Sequence, residues 1–151
     1  RPEFNDSEFI LDDGKYILYK SGQKNGTLNT YTHDGVYIIA NDGGEASFKL
    51  TSGKFSYTDH CICFKCESNE KTIALVNYLQ LLEKKITYIG FIGTGLKNID
   101  RQYLGMIKMP VLEYKKIAKS FITIDKAILN LENKLLILLK LKKQLLQSMF
   151  M

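Results

Sequence analysis

The chain has 151 residues, 45% of them hydrophobic and 25% charged, with a formal net charge of +5; that is enough for one domain with a proper core and one extended element. No run approaches the roughly eighteen consecutive apolar residues of a membrane span, and the start lacks the charged-then-apolar pattern of a secretion signal. Three cysteines, an odd number in a chain without such a signal, point to reduced thiols and a cytoplasmic setting.

The first four residues, Arg1-Pro2-Glu3-Phe4, read as a cloning scar and are set aside from fold reasoning. Residues 9–66 read as β structure, with short apolar or β-branched runs such as Tyr16–Tyr19, Val36–Ala40, Ser47–Leu50 and Cys61–Phe64. Turn clusters separate them: Asp12-Asp13-Gly14, Ser21-Gly22, Asn25-Gly26, Asp34-Gly35, Asn41-Asp42-Gly43-Gly44 and Ser52-Gly53. Glycine, asparagine and aspartate tolerate the positive φ values that tight turns need.

Over residues 70–85 the period becomes helical, with Ile73, Val76, Leu79 and Leu82 on one face and Ser68 or Asn69 placed to cap the start. Thr87–Ile92 then predicts a strand, Gly93-Thr94-Gly95 a loop, and Asp100–Tyr103 the start of a short helix. A last strand is expected at Met106–Met109, ending at Pro110. The predicted class is α+β, a mostly β domain with small helices.

From Lys115 to about Phe150 the pattern is helical and long. Ile117, Phe121, Ile124, Ile128, Leu131, Leu135, Leu138, Leu145 and Met149 follow four-three spacing, with Lys142 the polar intruder on the seam. Leu136, Leu139, Leu141 and Leu146 widen the stripe. A rod of roughly 50 Å with that face exposed is not stable alone in water and needs a partner. Residues 115–151 also hold eight lysines against Asp125 and Glu132, a balance of +6, which leaves −1 for residues 1–114. Charge alone therefore does not mark the first part as a nucleic-acid binder.

Cys61, Cys63 and Cys66 beside His60 lack the four ligands on two knuckles that structural zinc wants. Strand alternation puts Cys61 and Cys63 on one face, where cysteine packs as a small hydrophobe, so no metal is expected. A cysteine nucleophile served by His60 or His33 has no supporting motif. Gly90-Phe91-Ile92-Gly93-Thr94-Gly95 lacks the lysine and hydroxyl of a phosphate loop. With Pro2 and Pro110 the only prolines, a paired-proline amino-methyltransferase motif is impossible. No catalytic residue and no cofactor are expected. What remains are polar turn clusters, Ser21-Gly22-Gln23-Lys24-Asn25, Asn41-Asp42-Gly43-Gly44-Glu45 and Thr94-Gly95-Leu96-Lys97-Asn98. Their side chains suit base edges and phosphates, although composition alone reads them as solvated hairpin tips.

In order along the chain, these pieces resemble the target-recognition half of the specificity (S) subunit of type I restriction–modification enzymes. Tyr16-Ile17-Leu18-Tyr19-Lys20-Ser21-Gly22 is similar to that family's early strand and turn, and Gly35–Ala40 with Asp42-Gly43 to its next strand and glycine loop. Gly53–His60 resembles its G-K-F-x-x-T-x-H segment. Gly95–Ile99, Leu104 and Ile107-x-Met109-Pro110 resemble the closing loop and strand, and Ile117-Ala118 through Leu141–Phe150 the spacer helix. Two departures stand out: Glu113-Tyr114 replaces the usual Glu-Gln pair, and the short lead-in before the first strand points to truncation.

The resemblance implies a target-recognition domain over residues 5–113 and a spacer and dimerisation helix over 114–151. It also implies sequence-specific recognition of half of a split double-stranded DNA site. Family members hold two such units in one chain with their long helices antiparallel. A chain with one unit is expected to pair as a homodimer through Ile117, Phe121, Ile124, Ile128, Leu131, Leu135, Leu138 and Leu145. The methyltransferase subunit, and a restriction subunit, would be the further partners. Carried-over candidates for DNA contact are Gln23, Lys24, Asn41, Glu45, Lys54, Lys97 and Asn98, with Ser21 and Thr94 in the same clusters. Two rivals stay open: a recognition fragment of a fused restriction–methyltransferase polypeptide, and a coiled-coil adaptor whose head binds protein.

Overall fold

The computed structural model describes residues 4, 13–22, 24–110 and 113–150. In chain order the elements are β1 (Tyr16–Tyr19), β2 (Gly26–Leu28), β3 (His33–Asp34), β4 (Tyr37–Asn41), β5 (Phe48–Thr51), β6 (Lys54–Tyr57) and β7 (Cys61–Phe64). There follow α1 (Asn69–Leu81), α2 (Glu83–Gly90), β8 (Phe91–Ile92), β9 (Asn98–Ile99), α3 (Arg101–Met106) and α4 (Tyr114–Phe150). They divide into two units, Arg1–Leu112 and Glu113–Met151.

In the first unit the apolar run Tyr37-Ile38-Ile39-Ala40 becomes the middle strand of the sheet β5-β4-β7, and it is buried on both faces. Strand alternation divides its side chains. Ile38 and Ala40 turn to one side, where Ile38 pairs with Leu50 and Phe64, and Ala40 with Phe48 and Ile62. That face packs against Val76 and Leu79 of α1 and Ile86 of α2. Ile39, opposite Cys63, turns the other way with Cys61 and meets Tyr19 and Phe55 of a second sheet, β2-β1-β6-β3. The unit is thus layered as helices, a three-stranded sheet and a four-stranded sheet. Cys61 and Cys63 lie between the two sheets, as alternation requires. Burial pushes the Cys63 thiol up to about 12.

Ser68 caps α1, its hydroxyl accepting from the Lys71 N–H at 3.2 Å. Helical structure then continues past Leu82 through Gly90, so the strand expected at Thr87–Ile92 is a helix except for Phe91 and Ile92. The β-branched and aromatic run favours a strand locally, but tertiary contacts decide otherwise. Gln80, Glu83 and Thr87 recur at helical spacing and face the open edge of β5. There the Glu83 carboxylate accepts from the Phe48 N–H at 2.9 Å, and the Gln80 amide donates to the Phe48 carbonyl at 2.8 Å. The Thr87 hydroxyl accepts from the Ala46 N–H at 2.9 Å. An edge that would recruit another strand is covered by helix side chains. At the end of α2 the Tyr103 ring lies so close to Gly90 that a β-carbon would stand 2.5 Å from it.

The strand expected at Met106–Met109 is also absent. Met106 ends α3, and residues 107–110 carry no ladder. The alternation itself is present, since Ile107 and Met109 are half-buried while Met106 and Lys108 are exposed. The Ile107 N–H, however, returns to the Leu104 carbonyl at 3.3 Å, so no neighbouring strand receives it. Two smaller differences concern β2 and the first residues. Gly26, expected in a turn, is a buried residue of β2. Phe4, set aside as scar, bridges Thr58, and its carbonyl accepts from the Asp59 N–H at 3.0 Å.

The second unit is α4 alone, 37 residues and roughly 55 Å long. Ala118 is its one buried residue among those described, and every side chain from Ile122 onward is exposed. Among the described residues no helix is long and apolar enough to cross a membrane.

Candidate nucleic-acid interface

Two loops of the first unit are joined into one surface by their backbones. The first follows β4: the Asn41 N–H donates to the Ser47 carbonyl at 3.2 Å and closes the loop, while the Asp42 N–H donates to the His60 carbonyl at 2.9 Å. The second is the β8–β9 hairpin. Its paired residues Phe91 and Ile99 point into the core, so the next pair, Ile92 and Asn98, points to solvent. The Gly44 N–H donates to the Lys97 carbonyl at 3.0 Å, and the Ile99 N–H to the Asp42 carbonyl at 2.8 Å. A β-carbon on Gly43 would stand 3.1 Å from the Asn98 side-chain oxygen. Asp100 then caps α3 through the Gln102 and Tyr103 N–H groups. Arg101 opens that helix and reaches the Asp42 carboxylate at 3.2 Å.

The sequence-derived candidates distribute unevenly over this frame. Ser21 and Asn41 line a shallow cavity of ≈ 320 Å³ with Gly22, Ser47 and Lys49. Glu45 and Lys97 line a larger open cleft of ≈ 610 Å³ with Glu83, Lys84, Thr87 and Tyr88. Thr94, Lys97 and Asn98 are exposed along the hairpin. Lys24 is exposed before β2, and Gln23 lies outside the described residues.

Lys54 is separated from this group. β1 and β6 run parallel with Ile17 opposite Phe55, so Lys54 opens β6 at the end away from Ser21. A four-residue strand puts about 10 Å between those ends. Lys54 instead sits 4.6 Å from the centre of the Tyr31 ring. A hydrogen bond with Tyr31 holds its pKa above the usual lysine value.

Residues that reasoning from sequence passed over complete the surface. Arg101 is exposed beside Asp42, and Tyr88 and Leu96 are 87% and 76% exposed. The strand assignment over Thr87–Ile92 hid Tyr88. Leu96 did carry a signal, being a large apolar residue directly after the Gly93-Thr94-Gly95 turn with no periodic partner. The arrangement offers amides (Asn41, Asn98) able to pair with base edges, a carboxylate (Glu45) able to accept from cytosine, and cations for phosphate.

Over residues 2–141 the sequence matches the family model of the type I restriction modification DNA specificity domain. The chain belongs to that family. The specificity domain also shares its fold with the S subunit of a type I restriction–modification system from M. genitalium. The TM-score is 0.71 and the identity 20%, over 88% of this chain and 37% of that one. The specificity domain therefore spans little more than a third of that subunit, and its mixed sheets followed by a long helix are that architecture. No curated protein matches it. Membership in the family supports a role in DNA sequence recognition.

Proposed function

We propose that this specificity domain reads one half of a split DNA target, and that two copies joined through antiparallel α4 helices read a palindromic bipartite site. The single observation that carries the reading is the family match over residues 2–141. On this view residues 5–113 recognise DNA, residues 114–151 set the spacing, and the protein is not itself an enzyme. Chemistry is supplied by a methyltransferase subunit, and by a restriction subunit where one joins, in a cytoplasmic complex.

The dimer rests on α4. Ile124, Ile128, Leu131, Leu135, Leu138 and Leu145 are between 49% and 64% exposed, while their four-three spacing is that of a coiled-coil seam. Ile117 and Phe121 continue the same line. Contact with DNA is assigned to Ser21, Asn41, Glu45, Thr94, Lys97 and Asn98, together with Lys24 and with Gln23, the latter from the sequence. Lys54 is assigned at most a phosphate contact at the far end of the sheet. The near-neutral balance of residues 1–114 fits a domain whose affinity is shared with a more basic partner.

The test is a selection from random duplex DNA, run on the full chain alone and with a cognate methyltransferase subunit, at two salt concentrations. Recovery of a split palindrome, enriched further by the methyltransferase and weakened by salt, supports the reading. A non-palindromic or continuous motif would remove the twofold arrangement. Absence of enrichment at either salt would favour an adaptor whose head binds protein.

A further inference from the structure

The tip of the β8–β9 hairpin is built unlike an ordinary solvated turn. Its one large apolar side chain, Leu96, is 76% exposed, and Ile92 on the outer face of the same hairpin is 60% exposed. Neither serves the core, which takes Phe91 and Ile99 from the alternate positions. The hairpin is nonetheless held firmly. Gly93 has φ +144°, and a β-carbon there would stand 2.7 Å from the Leu96 carbonyl oxygen, so only glycine lets the turn close. Its base is bonded to the loop after β4 through Gly44, Lys97, Asp42 and Ile99. A short two-stranded ribbon, tied at its base to the loop after β4, therefore presents two aliphatic side chains with Lys97 and Asn98 exposed beside them. Exposed apolar groups rimmed by polar ones mark contact sites.

A two-stranded β-ribbon fits the DNA major groove, whose one apolar feature is the C5-methyl group of thymine. We infer that Leu96 packs against a thymine methyl group in the major groove and makes thymine a required base in the half-site. The polar shoulders read the neighbouring edges: the Asn98 amide is shaped for adenine, and Lys97 for guanine or phosphate. Ile92, paired with Asn98 across the hairpin, excludes water from the contact. The inference rests on the DNA-recognition reading above, since it names one base contact within that site.

The test uses the full chain and the site recovered by the selection. Each thymine of the site is replaced in turn by deoxyuridine, which deletes the methyl group and keeps every hydrogen-bonding atom. With the native chain, one thymine per half-site should weaken binding about fourfold on losing its methyl. With Leu96→Ala that dependence should vanish at the same position, while the other thymines behave as before. Because Leu96 is exposed, the variant should retain the native circular dichroism and melting temperature. If the native chain binds a defined site, but Leu96→Ala leaves every deoxyuridine effect unchanged, or the site holds no thymine, the inference is overturned while DNA recognition stands. If the native chain binds no defined site, both fall together.

Discussion

In the unit before Glu113, Leu18, Ile38, Phe48 and Phe55 are at most 2% exposed; in α4, Leu131, Leu135, Leu138 and Leu145 are between 57% and 64% exposed. The residue types are the same and the outcome is opposite. In the first unit the chain returns on itself, so that β4 finds β5 and β7 on either side, helices on one face and a second sheet on the other. In the second it runs one way for 37 residues and offers no segment to cover the stripe. The first unit buries its apolar residues within itself. In the proposed dimer the second gains its cover from the other copy, so its order should depend on protein concentration.

The largest effect should come from charging the seam. Leu131→Asp with Leu135→Asp removes four leucines from a dimer interface, about 6 kcal/mol or more in sum. Analytical ultracentrifugation should then show a monomer at concentrations where the native chain is a dimer, with the melting of the β unit unchanged. Association that survives both changes would mean the seam lies on another face of α4.

Next in size is the converse change, Phe48→Ala. Phe48 is 2% exposed between the β5-β4-β7 sheet and the helices, and its loss should cost about 3–5 kcal/mol. Thermal unfolding should fall for the β unit while the α4 dimer persists. A simultaneous loss of both transitions would show that the two units fold as one and would break the comparison.

The smallest effect is a dependence on pH. A Cys63 thiol released by unfolding titrates near 9.0, whereas the folded one keeps its proton to about 12 because it is half-buried between the sheets. A raised folded value means this contribution is intact below pH 9 and is lost as the pH climbs from 9 to 12. Denaturant melts across that range should show Cys63→Ala flattening the decline. At neutral pH, Cys63 should react with iodoacetamide far more slowly in the folded chain than in guanidinium. Equal rates would place the thiol outside the sheet interface.

Much of the fold was legible because local pattern and tertiary demand coincided. β7 coincides with the Cys61–Phe64 run, α1 starts after the Ser68 cap, and α4 begins one residue before the expected Lys115. Pattern failed where a distant contact outweighed propensity. Ile86-Thr87-Tyr88-Ile89 favours a strand, yet Glu83 and Thr87 are needed as a helix to cap the β5 edge. Met106–Met109 alternates as a strand should, but alternation cannot tell whether a neighbour is there to pair with. For the candidate interface, glycine-rich turns marked the loop after β4 and the hairpin as loops. They did not reveal that the loop after β4 and the hairpin are bonded together, nor that Lys54 stands at the other end of the sheet.

By itself the sequence determined the character of each segment: β runs broken by turns, a capped helix, a heptad stripe without a covering segment, and the order of motifs that resembles a specificity subunit. These are local properties, set by side-chain period and backbone preference over a few residues. Only the tertiary structure decided which side of β4 meets the helices, that α2 is a helix, and that Asn41, Glu45, Lys97 and Asn98 belong to joined loops while Leu96 stands free at the tip. Those outcomes depend on hydrogen bonds and packing between residues tens of positions apart, which no local pattern records.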